Sequence, residues 1–276
     1  RNSYDTNGAE AIRSIMGGFF FTSGIENICA PCTIEGTDYP MHGRIRTTPG
    51  EHLSADAFWN GDEYKISVKG EMREAALFGE NMVLRREIST VYGSNTLVVT
   101  DEFENEGFRE EPLMLLYHIN IGYPFLDEPT RLYIPTDKVI ARDTAGTGHE
   151  ADYDKMDIPK DNEDEYVFIH GMQADENGNT ELLVINEFLG IGMKLSYNMK
   201  YLPNFMEWKS VASGDYVIGL EPANSSVYGR IYHEKRNSVH KLAPFEKEKN
   251  VLNFTMLDGK EEISEAICKF REKFKK

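Results

Sequence analysis

Alternating hydrophobic and polar positions dominate the chain, and this two-residue period is typical of strands with one buried face. Segment 113–120 (LMLLYHIN) is more continuously apolar, as expected for a strand that is buried on both faces. Turn residues separate the runs, and the pair Asn177-Gly178 suits the positive φ angles of a tight hairpin. About twelve strand candidates at hairpin spacing predict a large antiparallel sandwich. The clearest alternation lies at 64–69, 82–90, 96–103, 180–185, 192–197 and 251–255.

Two segments have the pattern of helices, a short one at residues 8–16 and a longer one at 260–274. In the second, apolar residues recur at helical spacing and basic residues crowd the end, where the helix dipole favours them. The chain therefore predicts a mainly β protein with a short C-terminal helix. The apolar stripe of that helix is Ile263, Ala266, Ile267, Phe270 and Phe274.

No linker divides the sequence, so we predict one domain over residues 1–276. Segment 144–165 is rich in acidic residues and predicts a long surface loop, which is either functional or simply solvated. Segment 175–186 resembles the opening of a calcium-binding loop. It has Thr180 where such a loop needs Gly and Asn186 where it needs Glu, so a hairpin is the better interpretation.

The composition removes several classes of function. With 30 basic and 46 acidic residues, the net charge is −16, which disfavours binding to nucleic acid or to an anionic membrane surface. No apolar run is long enough to span a bilayer. A hydrophobic content of 40%, with 15 Phe and 14 Tyr, is too high for a disordered chain. The charge thus acts as a negative constraint and does not by itself indicate a function.

The chain has three cysteines, Cys29, Cys32 and Cys268. This count is low and odd, which argues against a disulfide scaffold. We therefore expect a cytoplasmic protein. Cys29 and Cys32 have the spacing of a redox or zinc motif, but no second pair of ligands follows at matching spacing. An ordinary loop with two thiols is the preferred interpretation, and we expect no metal and no cofactor.

Three segments place polar side chains within strand-like or Gly-marked patterns, and they bring forward His42, His118 and Glu221. Each alone has a structural explanation: His42 as a turn residue, His118 as a core histidine and Glu221 as a strand end. Together, two imidazoles and a carboxylate are sufficient to move protons at neutral pH. A curved sheet could bring such distant residues together.

Five phrases in the sequence carry a family resemblance that runs from about residue 15 to about residue 255. They are 41–45 (MHGRI), 73–80 (REAALFGE), 113–127 (LMLLYHINIGYPFLD), 206–209 (MEWK) and 215–224 (DYVIGLEPAN). In these phrases the chain resembles the galactose mutarotase (aldose 1-epimerase) superfamily, and most of all its aldose 1-epimerase-like branch of unknown function. The resemblance implies an antiparallel β-supersandwich with a sugar cleft on one concave face, and a small carbohydrate as ligand.

The resemblance also implies roles for individual residues. Glu221 would be the base and His118 the acid of anomer interconversion, with His42 binding the ring-oxygen side or sharing the acid role. Relatives as the resemblance has them begin with further strands before segment 17–19, and none is visible here, so we expect residues 1–276 to lack these N-terminal strands. If the strands are absent, one edge of the sandwich is missing; if they lie outside the numbered chain, the cleft is intact. Residues expected to bind the sugar are Arg44, Asn120, Glu165, Trp208, Lys209 and Asn224.

Two other functions remain open at this point. The same cleft could bind a sugar without turnover, or it could serve a different sugar isomerase or lyase. A metal-dependent version of the latter would use His42, His118 and His170 with a carboxylate.

Overall fold

The computed structural model describes residues 18–274, and the helix predicted at residues 8–16 lies outside them. The described chain forms two compact units. The first unit comprises residues 18–92, 99–118 and 223–251, and the second comprises residues 93–98, 119–222 and 252–274. The prediction of one domain across the chain stays a prediction, because compactness alone does not establish which parts fold independently.

The first unit is built mainly from antiparallel strands. Strands β4 to β6 form consecutive hairpins, and the short strands pair β2 with β3 and β8 with β17. A single short helix, α1 (Gly229–Glu234), follows residue 223 in this unit's described residues. Its strands are β1 (Phe20–Ser23), β2 (Cys32–Ile34), β3 (Thr37–Tyr39), β4 (Gly50–Asn60), β5 (Glu63–Ala75), β6 (Asn81–Val91), β8 (Glu111–Pro112) and β17 (Lys241–Leu242).

Four strands contribute residues to both units as the chain passes from one to the other. They are β7 (Thr96–Asn105), β9 (Leu116–Gly122), β16 (Val217–Ala223) and β18 (Lys247–Asp258). β1 neighbours β9, and β9 neighbours β16.

The second unit contains antiparallel pairs and the main helix. β10 pairs with β13, β13 with β14 and β14 with β18, while β12 lies between β11 and β15. The acidic segment predicted to be a loop joins β11 to β12 and contains a 3-10 turn at Glu150–Asp152. Its own strands are β10 (Thr130–Tyr133), β11 (Thr136–Ala141), β12 (Tyr166–Met172), β13 (Asn179–Asn186), β14 (Ile191–Asn198) and β15 (Asn204–Ser210).

Helix α2 (Gly259–Phe274) confirms the predicted C-terminal helix. Its apolar stripe packs on the β-strands of the second unit, which explains why the helix is amphipathic. No helix among residues 18–274 is long and apolar enough to cross a membrane. The buried hydrophobic cluster formed where α2 packs on these strands comprises Leu183, Ile185, Leu257, Ile263, Ile267, Phe270 and Phe274.

The structure confirms the six alternating segments as parts of β5, β6, β7, β13, β14 and β18. It differs at residues 113–115, which are buried but precede strand β9. The side chain of Asn224 donates to Leu113 O (2.6 Å) and accepts from Leu115 N (2.7 Å), and backbone carbonyls of residues 240 and 25 accept from Leu113 N and Met114 N. One side chain and several distant backbone groups here take the place of a regular neighbouring strand, which hydrophobicity alone could not reveal.

Candidate functional site

The loop that carries His42 is pinned by its backbone to the segment after β1. Gly24 N donates to His42 O (3.1 Å), His42 N donates to Cys29 O (2.9 Å) and Ile45 N donates to Gly24 O (3.1 Å). His42 and Gly43 both have positive φ angles, 59° and 69°. The Gly that follows the His thus turns the chain back on itself and sets the direction of the imidazole.

Two imidazoles meet in the first unit. The rings of His42 and His118 lie edge to face, with centroids 5.7 Å apart and an interplanar angle of 80°. Phe21 stacks on His118 at 4.5 Å, and its ring meets His42 edge to face at 5.9 Å. Ser23 Oγ lies 2.8 Å from His42 Nδ1. Since Phe21 and Ser23 are two residues apart on β1, they face the same side of the sheet.

The residues that alternate with these on β1 and β9 point to the opposite face of the sheet and make their own contacts there. Phe20 stacks on Tyr117 at 5.8 Å, and the Tyr117 hydroxyl donates to Asp101 Oδ2 (2.8 Å). Arg86 Nε donates to Asp101 Oδ1 (2.7 Å), and an Arg86 Nη donates to Thr22 Oγ1 (2.6 Å). Burial, with the Asp101 charge, raises the pKa of Tyr117, so its hydroxyl stays protonated as a donor. This network fixes the strands that carry Phe21, Ser23 and His118.

His42 is uncharged at neutral pH. Burial is the largest cause, and the neighbouring groups His118 and Arg46 add to it, so that the pKa of His42 falls to about 3. An imidazole with this pKa is almost never cationic at neutral pH, so it is a poor general acid, but the neutral ring offers both a hydrogen-bond donor and an acceptor. Of the two roles that the sequence left open for His42, the binding role fits this charge state better.

Acid should therefore destabilise the protein through His42. The unfolded imidazole takes up a proton near pH 6.5 and the folded one only near pH 3, so stability falls as the pH drops through this window. We expect about 3 kcal/mol of unfolding free energy to be lost through this group at pH 4. Urea unfolding of wild type and His42→Gln at pH 7 and pH 4 measures it. The wild type should lose more stability between pH 7 and pH 4 than His42→Gln. Equal losses would contradict the lowered pKa of His42. His52→Gln, which alters an exposed histidine, is the control.

Arg44, a predicted sugar-binding residue, is engaged in an ion pair. Its Nη1 donates to Glu26 Oε1 and its Nη2 to Asp38 O, both at 2.7 Å. Glu74 lies in the same cluster, where burial and then the charge of Glu26 raise the pKa of Glu74 well above its usual range. Arg44 thus neutralises a carboxylate beside the His42 loop, and its role toward a sugar stays a prediction.

In the second unit the structure brings together two other predicted residues. Trp208 Nε1 donates to Glu165 Oε2 (2.8 Å), and Arg142 forms an ion pair with Glu165 Oε1 (3.2 Å). Trp208 lies on β15 and Glu165 directly precedes β12, its hydrogen-bonded neighbour. The tryptophan ring is half-buried and the carboxylate is exposed, so both can reach a ligand in solvent.

Lys209 lies in a buried polar cluster of the second unit. Its Nζ donates to three carbonyl oxygens, of residues 152, 153 and 155, at 2.7–3.0 Å, and lies 3.4 Å from Glu207 Oε1. His170 Nε2 lies 3.1 Å from Glu207 Oε2. The ammonium of Lys209 therefore anchors the segment around the 3-10 turn, while the predicted contact with a sugar stays a prediction.

The remaining predicted residues lie on β9, on β16 and just after it. Glu221 is buried on β16, with 4% of its surface exposed, and Asn120 is half-buried on β9. Asn224 follows β16 and uses its amide on the backbone of residues 113 and 115. Among the described residues, no three His, Cys, Asp or Glu side chains are grouped so that they could hold a metal ion. Cys29, Cys32 and Cys268 are all free thiols.

Sequence reasoning missed the residues that support the two imidazoles. Ser23 and Phe21 belong to a strand of only four residues, β1, which is too short for a clear period. Arg86 had a weak signal, since it lies in a segment where apolar residues alternate with polar ones, yet it is largely buried. Charge in such a strand indicates a buried partner, but the sequence does not say which one.

Comparison with known proteins extends this description. A family model described as a domain of unknown function (DUF4432) matches residues 1–256. No curated protein matches the sequence. A solved structure of a candidate aldose 1-epimerase from Klebsiella pneumoniae is similar with a TM-score of 0.87 and 24% identity, over 93% of this chain and 67% of that chain.

Two further solved structures are similar at lower scores. A galactose mutarotase-like protein from Clostridium acetobutylicum has a TM-score of 0.62 and 14% identity, over 90% of this chain and 81% of that chain. A galactose mutarotase related enzyme from Lactobacillus acidophilus has a TM-score of 0.57 and 12% identity, over 90% and 87%. At these identities the likeness shows the fold, and it confirms the predicted galactose mutarotase-like antiparallel sandwich.

Proposed function

We propose that this chain, which belongs to the DUF4432 family of domains of unknown function, is a carbohydrate-active protein that interconverts sugar anomers. The observation that carries the proposal is the pair of adjoining imidazoles, His42 and His118, held in place by Phe21 and Ser23. The galactose mutarotase-like fold supports a small sugar as the ligand. General acid–base chemistry needs no cofactor, and the proposal includes none.

The proposed reaction moves one proton out of the sugar and one into it. Glu221, as the base, takes the proton of the anomeric hydroxyl, while His118, as the acid, gives a proton to the ring oxygen. The C1–O5 bond breaks with its electron pair going to the ring oxygen, and a carbonyl forms at C1. Rotation about C1–C2 and reversal of both proton transfers give the other anomer. Each positioned group of this kind contributes roughly 10²–10⁴-fold.

The other predicted residues serve binding in this proposal. Trp208 stacks on the apolar face of the sugar ring, and Glu165, held by Trp208 and Arg142, accepts hydrogen bonds from sugar hydroxyls. Asn120 and Arg44 complete the set. Lys209 and Asn224, whose ammonium and amide bond to backbone groups, would have to exchange one of these bonds for a sugar hydroxyl. His42, being uncharged, binds the sugar on its ring-oxygen side.

Measurement of anomer exchange by NMR across a panel of aldoses tests the proposal. We expect at least one sugar to exchange its anomers faster than in buffer, and His118→Gln to remove most of the acceleration. His52→Gln, which alters an exposed histidine on β4, is the matched control and should leave the rate unchanged. Sugar binding by calorimetry without faster exchange would instead identify a binding module, and the proposal of catalysis would be wrong.

A further inference from the structure

We infer that Ser23 is a positioning residue for His42: its hydroxyl donates to Nδ1 and fixes the ring as the tautomer with hydrogen on Nε2. The ring then presents a neutral N–H to an oxygen of the ligand. That the ligand is a sugar rests on the proposed function; the assignment of tautomer and donor does not.

Hydrogen-bond accounting decides which of the two groups is the donor. Ser23 is fully buried, and its Oγ lies 2.8 Å from His42 Nδ1. Within residues 18–274, this hydroxyl has no other hydrogen-bond partner. If Nδ1 carried the hydrogen, the Ser23 O–H would be buried without an acceptor, which is unfavourable. With Ser23 as donor, the hydroxyl hydrogen and the Nδ1 lone pair satisfy each other.

The other ring nitrogen of His42, Nε2, is available for a hydrogen bond to a ligand. Nε2 of His42 makes no hydrogen bond with any described residue, and it is not among the fully buried polar atoms. The ring cannot tilt freely, because Phe21 and His118 both meet it edge to face. A fixed ring with one nitrogen satisfied and the other accessible is arranged to donate one hydrogen bond outward.

The charge state supports this arrangement. His118 from β9 and Arg46 from the same loop face the ring, and with burial they lower the pKa of His42 to about 3. The imidazole stays neutral at physiological pH, so the Ser23 contact is with a lone pair and not with a cation. In the proposed reaction His118 is then the single acid, and His42 donates a neutral hydrogen bond that orients the ligand.

Nitrogen-15 NMR of the histidine rings at pH 7 tests the assignment without any ligand. We expect His42 to carry its hydrogen on Nε2, with the Nδ1 resonance displaced toward that of a hydrogen-bonded acceptor. In Ser23→Ala, that resonance should shift to the position of a free acceptor nitrogen. Ser67→Ala, which removes a buried hydroxyl that has no hydrogen-bond partner among residues 18–274, should cause no shift. Hydrogen on Nδ1 in the wild type, or no shift in Ser23→Ala, would overturn the inference.

Anomer exchange adds a functional readout for the sugar identified in the panel. Ser23→Ala should lower kcat about tenfold and change KM by less than about twofold, because the hydrogen bond that fixes the His42 ring, and through it the orientation of the reacting sugar, is lost. The double variant Ser23→Ala/His42→Gln should be no slower than His42→Gln, since Ser23 acts through His42. Additive losses would contradict this. If the NMR result holds but no sugar is turned over, the proposed function fails and the positioning role stands.

Discussion

Glu221→Gln should slow anomer exchange by about 10²–10⁴-fold while sugar binding changes only a few-fold. The amide has nearly the same size and shape as the carboxylate, so the buried position on β16 should keep its packing. An amide cannot take up the proton of the anomeric hydroxyl, so the base is removed while the hydrogen-bonding capacity of the side chain is largely kept. The loss should therefore fall on kcat and leave KM nearly unchanged.

Exchange NMR at saturating sugar gives the rate, and calorimetry with the same sugar gives the affinity. Glu111→Gln is a matched control, because Glu111, on the short strand β8, is a similarly buried glutamate that forms an ion pair with Arg109. The control should retain wild-type exchange. If the Glu221 variant folds, binds sugar and exchanges anomers at the wild-type rate, another group is the base.

The strands and the C-terminal helix could be read from the sequence because their signals are local. Alternation over eight residues fixes which face of β7 is buried, and a stripe at helical spacing fixes the buried face of α2. The short elements escaped because four residues, as in β1, carry too little period. Residues 113–115 look like a strand in the sequence, but their hydrogen bonds go to distant groups, among them the side chain of Asn224 more than a hundred positions away.

For the candidate site too, the sequence indicated some residues and missed others. His42 and His118 were found because titratable groups stood out in apolar or Gly-marked segments, and because phrases around them resemble a known family. Ser23 was not found, since a serine in a short strand has no chemistry of its own until a partner is placed beside it. The charge of His42 was equally hidden, because it depends on burial and on the positions of His118 and Arg46. Pairing between distant residues, and the electrostatics that follow from it, are properties of the fold.

Gly43 is a local sequence feature on which the pairing of distant residues depends. Gly43→Ala should therefore be the most destabilising of the substitutions considered. Its φ angle of 69° is one that L residues with a side chain rarely adopt. A Cβ at this position would overlap the carbonyl oxygen of Gly24 and lie 2.6 Å from that of Asn27. Both atoms are backbone, so no side chain can move aside. The loop would have to separate from the segment after β1.

We expect Gly43→Ala to lower the free energy of unfolding by more than about 4 kcal/mol, or to prevent folding of this loop. Gly61→Ala is the matched control: Gly61 has a similar φ of 64° but open space around its Cβ position, so only the backbone strain of about 1–2 kcal/mol applies. Urea unfolding of both variants measures the difference.

The loss in Gly43→Ala should include the local geometry of the imidazole pair. The bonds from Gly24 N to His42 O and from Ile45 N to Gly24 O cross the contact that the methyl group would open. Ser23 and His42 would then separate, so any folded fraction should show the His42 Nδ1 resonance of a free acceptor. Equal stabilities of the Gly43 and Gly61 variants would mean that the loop is not packed against the segment after β1. The close approach that only glycine permits is therefore what holds His42 beside Ser23.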